Sequence, residues 1–185
     1  MAEIKGATLL QTIEAVKARD GGDKLATIVA QLDPDSRSVI EGRISPWDWY
    51  SLDILAVFLE ADVRVTANGD REVLILRSEK VFEAQLRGMY KLFIRLGSPE
   101  YVIKRIASVH ESYFRGIHFI PEFDDSKQSL IKYVGFQSQH EIVGYAIVGF
   151  YRKALEISGA KQVAVKFTVP ISAGGKYAEL KITWA

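Results

Sequence analysis

Histidine is the residue type in this sequence best suited to chemistry, and there are three of them. An imidazole can ligate a metal ion or transfer a proton near neutral pH. His110 lies four residues from both Ile106 and Phe114, so a helix through this segment places its ring on the apolar face, inside the core. His118 alternates with apolar neighbours and is expected to face solvent, and His140 is expected at an exposed first-turn position. No histidine pair has the spacing of a zinc site, so the sequence predicts no metal.

Other signatures of catalysis are absent or scattered in the sequence. There is no cysteine, which excludes disulfides, thiolate zinc sites and S-acylation. Tight carboxylate clusters occur only at Asp124-Asp125 and between Glu60 and Asp62, and both are expected to be solvated. No glycine-rich phosphate loop lies between a strand and a helix, and there is no Gly-x-Ser-x-Gly elbow. We therefore expect that the chain is not an enzyme.

The composition is that of an ordinary globular domain. The 185 residues are 48% hydrophobic and 25% charged, which is enough to bury one core. Lys and Arg number 24 against 23 Asp and Glu, so the net charge of +1 argues against a nucleic-acid partner. No apolar run approaches the roughly 18 residues of a transmembrane segment, and charges interrupt the N-terminal region where a signal peptide would be apolar. We expect a single cytoplasmic domain over residues 1–185.

The N-terminal third of the chain is predicted to be helical. Helices are expected over about 6–19 and 23–32, and Asp33 and Pro34 are typical of the cap and first position of a third helix. Together they form a helical lobe over residues 1–45, and residues 46–185 form an α+β core.

An aromatic segment follows this lobe. Ser45 and Pro46 predict the cap and first position of another helix, whose first turn carries Trp47, Trp49 and Tyr50. These rings either form a lid or contact surface, or plug the joint between two helical layers. The sequence leaves both alternatives open.

The C-terminal half predicts a sheet covered by helices. Alternation of apolar and polar residues predicts strands at about 117–123, 129–136, 161–169 and 176–184. Apolar residues at spacings of three and four predict helices over 72–96, 99–115 and 138–158. The fold class is therefore α+β, with a helical N-terminal lobe and helices packed on one face of a four-stranded antiparallel sheet.

The segment GFYRKALEISGAKQVAVKFTVPISAGGKYAELKITW resembles the C-terminal module of a known superfamily. That superfamily joins heme-NO-binding domains, vinyl-reductase-type domains and the small TRAPP vesicle-tethering subunits. The sequence is most similar to an uncharacterised myxobacterial domain family of about this length. The resemblance implies a heme-NO-binding/TRAPP-like ligand-binding fold. Vinyl-reductase-type relatives imply regulatory binding of small hydrophobic molecules, and TRAPP-type relatives imply assembly by helix packing.

The same resemblance raises the question of heme. In the heme-based gas sensors of the superfamily a helix histidine ligates iron, and a proline-phenylalanine strand and a Tyr-x-Ser-x-Arg motif complete the pocket. This sequence offers His110, the strand IPEFDD and Tyr133, but Gly135 stands at the serine position and Gln137 at the arginine position. A neutral amide supplies no countercharge for the heme carboxylates. We therefore expect no cofactor, with His110 either a core residue bonded to a backbone carbonyl or a polar anchor for another ligand.

Two functional interpretations remain, and a heme-based gas sensor ranks below both. The first is a non-catalytic sensory or regulatory module that binds a small apolar ligand. Its predicted pocket consists of His110, Phe114, Tyr133, Phe93, Tyr90 and Ile147.

The second interpretation is a ligand-free homodimeric scaffold or adaptor for protein–protein interaction. The helix over 138–158 is apolar around more than half its circumference, so it must pack on the sheet and also on the helical lobe, a bound molecule or another subunit. A homodimer is expected on this ground. Its predicted interface consists of Ile142, Ala146, Phe150, Val57 and Phe58.

Overall fold

The computed structural model describes residues 1–85, 98–124 and 127–185. The helices in these ranges are α1 (Gly6–Asp20), α2 (Gly22–Val29), α3 (Pro34–Glu41), α4 (Leu52–Ala67), α5 (Val73–Gln85), α6 (Pro99–His110) and α7 (Glu141–Ile157). The strands are β1 (Glu3–Lys5), β2 (Trp49–Ser51), β3 (Phe114–Arg115), β4 (His118–Asp124), β5 (Gln128–Val134), β6 (Ala164–Val169) and β7 (Ala178–Thr183). None of the helices in the described ranges is long and apolar enough to cross a membrane.

Strands β4 to β7 form an antiparallel sheet in the order β4-β5-β7-β6. Side chains alternate in β5 and β7, so Ile131, Tyr133, Leu180 and Ile182 are all buried on one face. Helix α6 packs on β4, and α7 packs on β6. The predicted α+β class, with helices on a four-stranded antiparallel sheet, is confirmed.

A second, smaller sheet was not predicted. β1 pairs antiparallel with both β2 and β3, in the order β2-β1-β3. The residues Trp49–Ser51 are therefore a strand, and α4 begins only at Leu52. The prediction of a helix that begins at Ser45 and Pro46 is wrong, because β1 supplies a pairing partner that is distant in the sequence.

The aromatic side chains of this segment differ in their surroundings. Trp47 is 79% exposed, which excludes it as a plug between helical layers. Trp49 is half-buried, and the Lys5 ammonium and the Arg115 guanidinium lie 4.2 and 4.3 Å from its ring centroid. The Tyr50 hydroxyl accepts a hydrogen bond from the Ser45 backbone N–H at 2.9 Å. The aromatic segment thus lies along the small sheet, with one tryptophan in solvent.

A buried ion cluster joins α1, α4 and α5. Asp62 was expected to be solvated, but it is only 1% exposed. Its carboxylate lies 2.6 Å from Arg19 Nη2 and 3.0 Å from Arg77 Nη1, and it accepts a hydrogen bond from the Thr66 hydroxyl at 3.0 Å. A carboxylate can be buried in this way only when it is paired, so the expectation was wrong because both arginines lie on other helices. The other acidic pair, at 124–125, lies outside the described side chains.

Helix α7 is covered on two sides within the chain. A Cβ built on Gly149 would lie 2.1 Å from the Ile75 backbone oxygen of α5, and one built on Gly144 would lie 3.0 Å from the Phe167 ring of β6. The Ser78 hydroxyl of α5 also donates a hydrogen bond to the Ala146 carbonyl at 2.6 Å. The second face of α7 is therefore occupied by α5.

This packing bears on the predicted dimer interface. Ile142 and Phe58 are buried inside the chain, so neither presents a surface in this structure. Val57, Ala146 and Phe150 are half-buried. The homodimer stays a prediction, but the second face of α7 that suggested it packs on α5.

Candidate ligand-binding site

Four aromatic rings surround His110 at the end of α6. Their centroids lie 4.7 Å (Phe119), 5.3 Å (Phe150), 5.6 Å (Tyr151) and 5.7 Å (Phe114) from the centroid of the imidazole. The rings come from β3, β4 and α7, so three elements meet at this histidine. His110 is 6% exposed, which confirms that it points into the core.

The imidazole of His110 is neutral and incompletely bonded. Its Nδ1 is buried and has no hydrogen-bond partner among the described residues, so the expected bond to a backbone carbonyl is not found at this nitrogen. Burial lowers the pKa of His110 to about 3. A neutral imidazole is the form that ligates metals, and an unpaired buried nitrogen is uncommon in folded proteins.

Two buried tyrosine hydroxyls lie close to His110 in the same aromatic cluster. Tyr133 on β5 and Tyr151 on α7 are fully buried. Neither hydroxyl has a hydrogen-bond partner of acceptable geometry in the described ranges, but the two hydroxyls lie close enough to each other to influence each other's pKa. The Tyr133 ring contacts Phe119 at 5.0 Å, which links it to His110. Burial raises the pKa of both tyrosines, and that of Tyr133 is raised further by the nearby Tyr151. Both phenols therefore remain protonated and can donate a hydrogen bond.

The structure explains why the tyrosine motif is incomplete. Gly135 has a φ of 110°, and a Cβ at this position would lie 2.1 Å from the Gly116 backbone oxygen. A serine cannot occupy this position without moving the backbone. Gln137 is exposed and is the N-cap residue of the short 3-10 helix Ser138–His140 that precedes α7, and its backbone N–H donates a hydrogen bond to His140 Nδ1. At the position of the motif serine, Gly135 thus allows a close backbone contact, and at the position of the motif arginine, Gln137 is the N-cap of a short helix.

His140 is buried, contrary to the prediction that it lies exposed in a first turn. Its Nδ1 accepts a hydrogen bond from the Gln137 backbone N–H at 3.1 Å, and its Nε2 lies 3.0 Å from Asp53 Oδ1 on α4. The expectation was wrong because the 3-10 turn directs this ring toward α4 instead of solvent. His118 is exposed on β4, as predicted.

The predicted pocket residues are brought together in part. His110, Phe114 and Tyr133 belong to one aromatic cluster, and Ile147 is buried in the same core. Tyr90 and Phe93 lie outside the described residues. Sequence reasoning missed three members of the cluster: Phe119, Tyr151, and Phe150, which had been assigned to the dimer interface. The alternation of Ile117, His118 and Phe119 could have identified Phe119, because it predicts that Phe119 is buried when His118 is exposed.

A surface cleft of about 260 Å³ lies away from this cluster. Its lining residues are Asp53, Ala56, Val57, Glu60, Arg71, Ser138, Gln139 and Glu141. The Arg71 guanidinium lies 2.6 Å from Glu60 and 3.3 Å from Glu141, so its charge is already paired. No three histidine or carboxylate side chains converge as a metal site within the described part of the chain. The three unpaired polar atoms make the aromatic cluster the candidate site.

Comparison with known proteins places the fold. No protein-family model matches the sequence, and no curated protein is significantly similar to it. Solved H-NOX structures, in contrast, superimpose on almost the whole chain.

Three of these structures illustrate the similarity. The Fe(II) unliganded H-NOX protein mutant from K. algicida is 16% identical, with a TM-score of 0.72, and the match covers 98% of this chain and 97% of that one. An H-NOX protein from S. oneidensis in the Fe(II)NO ligation state is 12% identical, with a TM-score of 0.72 and coverage of 98% and 99%. An oxygen-binding H-NOX domain related to soluble guanylate cyclases is 12% identical, with a TM-score of 0.66 and coverage of 98% and 95%. The chain has the H-NOX fold, which confirms the heme-NO-binding resemblance.

The expectation of no cofactor is contradicted by these comparisons. The similar structures are heme-NO-binding proteins, two of them described in Fe(II) states and one as an oxygen complex. The error came from giving the motif serine and arginine decisive weight, although Gly135 is required by the backbone at that position. The vinyl-reductase-type and TRAPP-type resemblances stay predictions.

Proposed function

We propose that this chain is a non-catalytic sensory module that binds a ligand in the aromatic cluster around His110, and that the ligand is heme. The observation that carries the proposal is the buried His110 with an unpaired Nδ1, next to two unpaired phenols. Buried polar groups without partners are rare in native proteins, and a missing ligand is one of the few physical reasons for them.

The residues around His110 are suited to ligation of a heme iron. Burial keeps His110 neutral, and the surrounding rings of Phe114, Phe119, Phe150 and Tyr151 exclude water and fix the plane of the imidazole. When bound, heme supplies an iron centre that can take up a small gas molecule. The arginine position of the motif offers no charge to the heme carboxylates, so their partners must lie elsewhere in the chain.

A sensory role also needs a path from the site to the rest of the domain. Helix α7 carries Phe150 and Tyr151 against His110, and the same helix packs on α5 at Gly149 and at Phe150, whose ring centroid lies 4.1 Å from that of Phe82. Helix α5 in turn holds the buried ion cluster through Arg77. A shift of α7 on ligand binding would therefore be passed to α5 and the helical lobe.

Reconstitution with hemin tests the proposal. The wild-type protein is expected to take up hemin in a one-to-one ratio, with a sharp Soret band. His110→Ala is expected to lose the histidine-ligated spectrum, and free imidazole should restore it because the small ligand fills the space that the side chain leaves. His118→Ala, at an exposed site, is the matched control and should keep the wild-type spectrum. No stoichiometric uptake by the wild type, or equal spectra for both variants, would contradict the proposal.

A further inference from the structure

The outer face of the small sheet carries basic and aromatic side chains. Ile4 of β1 is fully buried, so alternation along the strand directs its neighbours Glu3 and Lys5 to the opposite, outer face. Residues that pair directly across antiparallel strands share a face. The cross-strand partners of Glu3 and Lys5 on this outer face are Ser51, Arg115 and Trp49.

Two exposed aromatic side chains extend this face beyond the strands. Trp47 lies in the turn before β2 and is 79% exposed. Tyr113 lies immediately before β3, and its backbone carbonyl accepts a hydrogen bond from the Lys5 N–H at 2.9 Å. We call the surface formed by Trp47, Trp49, Tyr113, Lys5 and Arg115 the tryptophan face. Tryptophan, tyrosine and arginine are the residue types that contribute most of the binding energy at protein interfaces.

Positive charge is in excess on the tryptophan face. The Lys5 ammonium and the Arg115 guanidinium lie 4.2 and 4.3 Å from the centroid of the same Trp49 ring. Glu3 is the single carboxylate among the strand residues of the outer face, and it lies 3.4 Å from Arg115. Lys5 forms no ion pair with the described residues. Two cations that share one ring repel each other, so a carboxylate supplied from outside the chain would be attracted to both.

We propose that the tryptophan face binds an acidic segment of a partner protein. Carboxylates of that segment pair with Lys5 and Arg115, and its apolar side chains cover Trp47. Charge complementarity of this kind selects a partner and fixes its orientation. An anionic membrane surface fits less well, because recognition of lipid headgroups takes clusters of about four to eight basic residues, and this face carries a single pair.

The tryptophan face lies directly outside the aromatic cluster. Phe114 and Arg115 are the two residues of β3. The Phe114 ring centroid lies 5.7 Å from that of His110, whereas the Arg115 guanidinium lies over Trp49. A bound partner would therefore contact the strand that also lines the candidate site. The inference goes beyond the proposed function and does not depend on it, because no residue of the face belongs to the proposed heme site.

An NMR titration of the ligand-free protein with synthetic peptides tests the inference. The probe is a short capped peptide of glutamate, leucine and serine, and the control peptide has glutamine in place of glutamate. The chain has three tryptophans, and their indole N–H signals report separately on Trp47, Trp49 and the buried Trp184. The glutamate peptide should shift the Trp47 and Trp49 signals but not that of Trp184, and the glutamine peptide should shift none. The affinity should fall when NaCl is raised from about 0.05 to about 0.5 M.

Substitutions on the face separate its charges from its aromatic side chains. Lys5→Gln and Arg115→Gln should each weaken peptide binding by about twofold to fivefold, the effect of one exposed ion pair. Trp47→Ala should weaken it by about fivefold or more. Lys166→Gln, at an exposed position of β6, is the matched control and should leave the affinity unchanged. An unshifted Trp184 signal shows that each variant is folded.

Several results would overturn the inference. They are the absence of any shift at Trp47 and Trp49 with the glutamate peptide, equal shifts with the glutamine peptide, and equal losses of affinity in Lys5→Gln and Lys166→Gln. Sedimentation with vesicles of phosphatidylserine and phosphatidylcholine tests the membrane alternative, and tighter binding to these vesicles than to the peptide would also overturn it. Uptake of hemin is a separate measurement, so its failure refutes the proposed function and leaves the tryptophan face untouched.

Discussion

The neutral, buried state of His110 predicts that the ligand-free protein is sensitive to acid. Burial lowers the pKa of this imidazole from its ordinary value near 6.5 to about 3 in the folded chain. Between these two values the unfolded chain binds a proton that the folded chain does not bind. The free energy of unfolding therefore falls as the pH falls through this window.

The size of the effect follows from the width of the window. One pKa unit corresponds to about 1.36 kcal/mol, so acidification to about pH 4 removes roughly 3 kcal/mol through His110 alone. His110→Leu replaces the ring by an apolar side chain that cannot bind a proton. Carboxylates elsewhere titrate equally in both proteins, so their contribution cancels when the variant is compared with the wild type.

Chemical denaturation at a series of pH values measures this difference. The free energy of unfolding of His110→Leu minus that of the wild type should rise by roughly 3 kcal/mol between about pH 7 and about pH 4. His118→Leu removes an exposed imidazole and is the matched control, for which the difference should stay constant within about 0.5 kcal/mol. A difference for His110→Leu that does not change with pH would refute the assignment of a neutral core histidine.

Two further predictions concern packing and the buried charges. Asp62→Asn leaves two arginines without their carboxylate and should lower the free energy of unfolding by about 3 kcal/mol. Glu60→Gln, at a partly exposed ion pair, should lower it by less than about 1 kcal/mol. Thermal melting compares the two variants, and equal losses of stability would contradict the buried cluster. Gly149→Ala places a methyl group against the α5 backbone and should lower the free energy of unfolding by about 1–3 kcal/mol in the same melting experiment. Gly22→Ala, with open space around its Cβ, should leave the free energy of unfolding unchanged or raise it. A tolerated Gly149→Ala would show that α5 does not pack this closely on α7.

The elements that could be predicted from the sequence are those whose signals are local. The four strands of the main sheet and helix α7 carry a periodicity that reports directly which face is buried. Caps are equally local: the Asp33 carboxylate accepts a hydrogen bond from the Ser36 N–H at 2.9 Å, and the Ser98 hydroxyl accepts one from the Tyr101 N–H at 3.3 Å. The Asp33 cap was predicted from residue type and position alone.

The features that could not be predicted depend on partners that are distant in the sequence. β1 and β2 have three residues each and β3 has two, which is too short for periodicity, and the pairing joins Glu3 to Ser51 and Arg115. Asp62 is 43 residues from Arg19, and His140 is 87 residues from Asp53. A polar residue on its own gives no sign of whether such a partner exists, so solvent exposure was the default expectation and was wrong in both cases.

The candidate site shows the same division between local and distant information. His110 and Tyr133 could be identified because the apolar stripe of α6 and the alternation of β5 place them inward. Tyr151 could not, because a tyrosine on an apolar helix is usually an ordinary core residue, and its unpaired hydroxyl becomes apparent only beside Tyr133.

A motif describes residue types, whereas a site requires donors at particular places. Gly135 shows the difference, since the close approach of the Gly116 carbonyl forbids a side chain where the motif has a hydroxyl. Other elements nevertheless bring polar groups to the same place, since α7 holds the Tyr151 hydroxyl close to that of Tyr133. The loss of two motif residues therefore excludes one way to bind a porphyrin carboxylate without excluding the porphyrin, and reconstitution with hemin distinguishes these two cases.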